Sequence, residues 1–433
     1  MFSFLATVLS PRGQTLWKIL IVGELLHRVY MMFFLWGPMN TIYSDMSRHW
    51  DNAAHFLKPG AMGASNPFFY QFWLWGFRQL THDNRIAMNI MALSLSWAAL
   101  LSWYLVARAV VKEKRTALMY MALFGLIPTH ALMYMYFMPE TVLMPLTGIA
   151  LALTLRALKR PSAIRFLGSV FFWVCAILTK SVALPVAFVS SAYALWQQRR
   201  RRLLLLIPAL AITAAGFGIA GQRAYTHFGR YTPLGDGTLV SIYFVSAKRD
   251  YQVAWMNKKV STGTFIFSSP SFYISPFHPI KWQSSRSGLV RFTLDPGLHG
   301  KDVEKTFMEQ LRLNKDKLPR LIYENLIFLS FGHHWPLSGL DNWNGKICLH
   351  ERWIWFPIFV ASTILSLLWL RRKRAFFPAI TLFATIALYG SQITVMEGRY
   401  RKFIEPFTVL AVMASVERIR LARKGNPRPL TGR

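Results

Sequence analysis

The chain has 433 residues, enough for two or three soluble domains, but 53% of them are apolar and only 16% are charged. Soluble domains carry roughly a quarter charged residues, so an ordinary soluble protein is excluded and the apolar excess must face lipid. The formal charge of +31 would suit nucleic acid if the cations formed one patch. They fall instead in short clusters between long apolar runs, as the positive-inside rule demands of a polytopic protein, and nucleic acid is set aside as a partner.

Arg12 and Lys18 stand at the N-terminal edge of the first apolar stretch, and no small-residue cleavage site follows it, which predicts a retained first helix. A hydrocarbon core of about 30 Å takes roughly 20 residues of helix, and that ruler cuts the rest of the chain. The predicted spans are 15–37, 86–107, 117–137, 140–157, 163–179, 181–197, 203–221, 353–370, 377–395 and 403–417. The expected fold is therefore an all-α polytopic membrane protein of about ten transmembrane helices.

Basic clusters mark every second connection: Arg108, Lys112, Lys114 and Arg115; Arg156, Lys159, Arg160 and Arg165; Arg199 to Arg202; Arg371 to Arg374; and the tail from Arg418 to Arg433. This alternation predicts that both termini are cytoplasmic and that the other connections face outward. The first outward loop, 38–85, holds Asp45, Asp51 and the aromatic run Phe68 to Phe77, which is too short to span and reads as a helix along the outer leaflet. The domain boundaries follow as a membrane domain over 1–221, a mixed extracytoplasmic cap over 222–352, the last spans over 353–417 and a basic cytoplasmic tail over 418–433. Within the cap, Val303 to Leu313 has helical spacing. No internal repeat stands out, so an inverted-repeat transporter is not suggested. Cys175 lies in an apolar run and Cys348 in the long polar segment, and no disulfide framework is expected.

Ionisable groups at a membrane edge are costly, so each needs an account. Those expected on the outward side are Asp45, Arg48, Asp51, Glu140, Lys180, Glu397, Arg399, Arg401 and Glu405. Asp45 follows the first helix, where a carboxylate can accept a proton from an attacking hydroxyl or simply close a turn. Asp51 admits the same two readings within a helical-looking stretch. Glu140 follows Pro139 at a helix start, where the helix dipole alone favours it. Lys180, between two apolar runs, is placed either to snorkel or to bind a lipid phosphate. Arg399, Arg401 and Lys402 put three cations on a face where they are disfavoured, so an anion is needed: Glu397 and Glu405 are the protein's own candidates, and a phosphate held by Arg399 or Arg401 is the alternative. His333 and His334 are adjacent, without zinc-like spacing, so no metal site is expected there and no cofactor is indicated. Trp335 and Trp343 can stack on sugar rings or anchor at the interface.

Together these residues resemble a known group. An Asp in the first outward loop, Pro139-Glu140 opening the fourth helix, Leu178-Thr179-Lys180 between two short helices, and Arg399-Tyr400-Arg401 with Glu405-Pro406-Phe407 entering the last helix are similar to the GT-C superfamily of polyprenyl-phosphate-sugar glycosyltransferases. The nearest branches are the protein O-mannosyltransferase-like and lipid A aminoarabinose transferase-like ones. The resemblance implies an active site at the outer face of the inner membrane, an Asp base at Asp45, and a donor phosphate gripped by Lys180, Arg399 and Arg401, with Arg48, Glu140, Glu397 and Tyr400 lining the substrate site. Asp45-Met46 replaces the Asp-Glu pair of the mannosyltransferase branch, which leaves the base between Asp45 and Asp51. The implied reaction is inverting transfer of a sugar from polyprenyl phosphate to a glycan, lipid or protein. A lipid-linked-saccharide flippase, or a polymerase or ligase using a lipid diphosphate, are the competing readings. No Gly-rich nucleotide loop is present, which fits a lipid donor.

Overall fold

The computed structural model describes residues 11–35, 37–40, 42, 45–58, 67–198, 201–229, 231–234, 312, 329–330, 343–370, 376–391 and 398–425. Lipid leaves a spanning backbone no water to bond, so apolar runs of this length fold as helices, which satisfy their own peptide groups. The α-helices are α1 (Pro11–Tyr30), α2 (Asp45–Ala54), α3 (Phe68–Thr81), α4 (Arg85–Val110), α5 (Lys114–Gly125), α6 (Pro128–Leu132) and α7 (Pro139–Lys159). They continue as α8 (Ala163–Thr179), α9 (Leu184–Gln197), α10 (Arg202–Phe228), α11 (Trp343–Trp369), α12 (Phe376–Ser391) and α13 (Glu405–Gly425). A π-helical turn, Met31–Leu35, extends α1, and a short 3-10 segment, Gly398–Phe403, leads into α13.

Nine of the ten predicted spans overlap a single described α-helix, and 117–137 covers two. Among the described residues, four helices are long and apolar enough to cross a bilayer, Gln14–Asn40, Arg85–Val110, Pro139–Lys159 and Arg202–His227, and a bent pair makes a fifth. Shorter apolar helices are Ala163–Thr179, Ser181–Gln197, Trp353–Trp369 and Phe376–Gly390. The chain is an all-helical, multi-pass membrane protein. The helix carrying the predicted span 353–370 starts earlier, at Trp343, and α10 runs past position 221 to Phe228. The Val303 to Leu313 stretch, apart from Arg312, and His333, His334 and Trp335 lie outside the described residues, as does the Trp343 side chain.

One span departs from expectation. Residues 117–137 were expected as a single helix, but Lys114–Gly125 and Pro128–Met135 meet at 68°. Pro128 has no N–H to offer and its ring excludes the helical conformation at the residue before it, so Ile127 is extended (φ −66, ψ 111). The carbonyl of Gly125, left over at the end of α5, accepts a hydrogen bond of 3.0 Å from Arg28 Nη2. Arg28 is fully buried, pairs with Glu24 at 3.0 Å and donates to Ser96 Oγ. A guanidinium inside the bundle thus compensates the broken helix end.

The centre of the bundle is α4, α7 and α8, held by small and hydroxyl-bearing residues as lipid-embedded helices require. Ser102 of α4 fits against Gly148 of α7, where a Cβ would lie 2.8 Å from the Ser102 Cβ. Thr154 and Ser169 share a hydrogen bond of 2.6 Å between α7 and α8, and Trp173 donates to Thr154 at 3.3 Å. At one end of the bundle, buried Glu417 of α13 accepts hydrogen bonds from the Lys112 and Glu113 amides at 2.9 and 2.8 Å. These amides precede α5, where a carboxylate meets the positive end of the helix. Arg420 pairs with Glu113 beside them.

Candidate active site

The other end of the bundle gathers most of the residues singled out in the sequence. On α2, Asp45, Arg48, His49 and Asn52 share one side by their i, i+3, i+4 and i+7 spacing. The Asp45 side chain lies outside the described residues. Asp51 falls off this side and is exposed to solvent or lipid.

Helix α3 fastens α2 in place. The guanidinium of Arg78 sits 3.8 Å from the Trp50 ring centre, donates to the Trp50 carbonyl at 2.5 Å, and pairs bidentately with Asp83 at 2.8 and 2.7 Å. Trp50 packs in turn on Phe137 with centroids 5.0 Å apart. His82 and Asp83 adopt left-handed φ angles of 48° and 57°, which reverse the chain sharply enough for Asp83 to face Arg78. Asn84 then caps α4, accepting from the Ile86 and Ala87 amides. Further along the α2–α3 seam, buried His49 Nδ1 lies 2.9 Å from Gln71 Nε2 and packs edge-on against Tyr70 at 5.1 Å.

Glu140 and Lys180 are brought together by chain reversal. Pro139 and Glu140 open α7; α8 runs back antiparallel and ends at Thr179, where Lys180 takes an extended conformation before a 3-10 turn, Ser181–Ala183. The Lys180 ammonium reaches Glu140 Oε1 at 2.5 Å and stands 4.1 Å from the Tyr400 ring centre. Glu140 is nearly inaccessible and Lys180 only 18% exposed. Position at a helix start alone does not account for Glu140, because its carboxylate also holds a cation drawn from 40 residues away. The ammonium donates to Glu140, and the Tyr400 face supports its charge.

The cluster ahead of the last helix divides. Tyr400 faces Lys180, whereas Arg401 is fully buried with other partners: Glu405 at 3.5 Å, the Ser330 carbonyl at 3.3 Å and the Trp355 ring at 4.8 Å. Lys402, also buried, donates to Thr129 Oγ1 and lies 3.3 Å from Glu351 and 2.7 Å from Glu405. Glu351 binds the amide of Thr129 at 2.9 Å and its hydroxyl at 2.6 Å. Two cations thus face two carboxylates, and Glu405, one of the protein's own candidates for the missing anion, is among them. The other is Glu351 of α11. Glu397 and the Arg399 side chain lie outside the described residues. Among the described residues, no three His, Cys, Asp or Glu side chains converge in an arrangement that holds a metal ion.

Residues 65–220 match the family model of dolichyl-phosphate-mannose-protein mannosyltransferases. Over that stretch the chain is similar to this GT-C glycosyltransferase family. It is accordingly a membrane glycosyltransferase that draws on a lipid-linked sugar donor. No curated protein matches the chain. The stretch assigned to the mannosyltransferase family contains Tyr70, Glu140 and Lys180, while Asp45, Arg48, Tyr400 and Arg401 lie beyond it.

Sequence reasoning missed His49, Tyr70, Gln71, Glu24, Arg28 and Glu351. The i, i+4 pair of Glu24 and Arg28 inside an apolar run was visible as an anomaly, and so was His49 one turn after Asp45. Tyr70 gave no signal within its aromatic run.

Proposed function

We propose that this glycosyltransferase moves one sugar from a polyprenyl phosphate to a glycan, lipid or protein hydroxyl at the extracytoplasmic face of the inner membrane, with inversion at the anomeric carbon. The described helices form one GT-C-like membrane domain, and α3 lies along the outer leaflet. The described basic connections support the orientation: Arg108 to Arg115 stand at the C-terminal end of α4 and Arg156 to Arg165 join α7 to α8, at the helix ends opposite Glu140 and Lys180.

The observation that carries the reading is the meeting of Glu140, Lys180 and Tyr400 at the mouth of a bundle whose central stretch matches a family named for a lipid-phosphate sugar donor. A sugar on polyprenyl phosphate already has its leaving group, so the enzyme must position the acceptor, remove its proton and stabilise charge on the departing phosphate. Asp45 is the base, favoured over Asp51 because it shares a helix side with buried His49 while Asp51 is exposed. Lys180 and Arg399 hold the phosphate, and Arg48 of α2 contributes to the substrate site. Arg401 is assigned to the buried charge network, since Glu405 and Trp355 already occupy it.

The test uses purified full-length protein with defined lipid-phosphate and lipid-diphosphate sugars, dolichyl-phosphate mannose first among them. Turnover of the monophosphate donors, lost in Asp45→Asn with expression preserved, supports the reading. Use of the diphosphate alone makes the protein a polymerase or ligase, and transport without new glycosidic product makes it a flippase.

A further inference from the structure

Tyr70 combines three properties that do not ordinarily occur together. Its side chain is fully buried, its hydroxyl has no hydrogen-bond partner among the described residues, and it stands near enough to Glu140 for that carboxylate to act on it electrostatically. The ring is not loosely placed: His49 meets it edge-on at 5.1 Å and Trp73 stacks at 6.2 Å, while His49 is itself tied to Gln71. Gln71 can serve His49 whichever charge state the imidazole adopts, since its amide presents a donor or, turned over, an acceptor. A buried hydroxyl left unsatisfied is a net cost, and a fold with only packing to achieve at this position would carry Phe.

We propose that Tyr70 is a sugar-reading residue, donating a hydrogen bond to a hydroxyl of the donor's sugar whose own proton is accepted by Glu140. The inference rests on the reading of the Lys180 end as the donor site. A phosphate oxygen is the poorer occupant, because it would be pressed against the Glu140 carboxylate. A neutral hydroxyl suits both neighbours, since it accepts from the phenol and donates to the carboxylate. Burial first, and Glu140 second, push the Tyr70 pKa well above the ordinary phenol range, so it stays a protonated donor at any physiological pH. Lys180, held by the same carboxylate, sets the phosphate beside that hydroxyl. Phosphate and sugar are then read by different groups within one pocket.

The experiment compares Tyr70→Phe and Lys180→Ala in the full-length protein, using kcat/KM for dolichyl-phosphate mannose and inhibition by sugar-free dolichyl phosphate. Loss of one neutral hydrogen bond predicts a fall of about three- to tenfold in kcat/KM for Tyr70→Phe. Inhibition by the sugar-free lipid should be unchanged in that variant, and its thermal midpoint equal to or above that of the wild type. Lys180→Ala should weaken both the substrate and the sugar-free inhibitor. Unchanged kcat/KM in Tyr70→Phe, an equal loss against both lipids, or a lowered midpoint would each overturn the sugar-reading role, the last by making the hydroxyl structural. Unaltered inhibition in Lys180→Ala would instead sink the donor-site reading itself, so the two failures are separable.

Discussion

Lys402→Met tests whether the cations ahead of α13 serve the ligand or the fold. The side chain is 2% exposed and lies 2.7 Å from Glu405 and 3.3 Å from Glu351, both almost wholly buried. Methionine keeps the length and most of the volume, so the change isolates the charge. Removing it takes one cation from Glu351 and Glu405 and frees the hydroxyl of Thr129 from one of its partners. Breaking a buried pair from one side costs about 3–5 kcal/mol, chiefly from stranding the other charge. At roughly 1 °C per kcal/mol for a chain of this size, the thermal midpoint should fall on the order of 3–5 °C.

The assay is tryptophan fluorescence during a temperature ramp in detergent, with Lys402→Met/Glu405→Gln run beside the single variant. The double variant leaves one cation, Arg401, with one carboxylate, Glu351, so the charges of the network balance again and part of the loss should be recovered, a coupling expected only of groups in direct contact. If Lys402→Met instead keeps its midpoint and loses affinity for dolichyl phosphate, the network belongs to the donor site and the structural assignment of Lys402 is wrong.

Two further variants probe the frame. Glu417→Gln replaces one of two oxygens that accept from the Lys112 and Glu113 amides with an NH2 group, orphaning one N–H at the start of α5. It should cost about 1–3 kcal/mol and increase protease cutting between Lys112 and Arg115; unaltered cutting would mean that α13 is fixed elsewhere. Gly148→Ala places a Cβ 2.8 Å from the Ser102 Cβ and 3.2 Å from its carbonyl carbon, which belongs to the α4 backbone and cannot turn aside. A loss of about 1–3 kcal/mol should appear as a lower thermal midpoint, partly restored by Ser102→Gly; an unchanged midpoint would refute the close α4–α7 contact.

The helices were legible because two independent signals agree: apolar runs have the length of a bilayer, and basic clusters punctuate alternate connections. The bend after Gly125 was also readable in principle from Pro128, although apolar content alone draws a straight span through it. What the sequence leaves hidden is which costly groups meet. Glu140 and Lys180 each stand out as expensive at a membrane edge, but their pairing depends on α7 and α8 being antiparallel neighbours of similar length. The positive excess at Arg399 to Lys402 correctly signals a missing anion. Part of that anion is Glu351, which lies in α11 where the sequence suggested loop. Tyr70 is hidden for a different reason, since an aromatic run along a helix does not reveal which of its hydroxyls is denied a partner.

The groups expected to bind substrate sit at helix ends, and charged side chains elsewhere fix those ends. Arg78 locks α2 to α3, Arg28 bonds the carbonyl left over where α5 breaks, and Lys402 anchors the 3-10 segment that lays Tyr400 against Lys180. Arg28 and Lys402 are buried charges, which cost free energy in lipid that pairing only partly offsets, so stability alone is a weak reason for them. Placement is a better one. A hydrogen bond or ion pair has a direction that apolar contact lacks, and the proposed reaction needs Lys180 and Asp45 held to within fractions of an ångström. Lys402→Met/Glu405→Gln bears on this as well: if it regains stability without regaining turnover, the network's role is to aim the 3-10 segment, whereas full recovery of both would reduce it to a fold-holding contact.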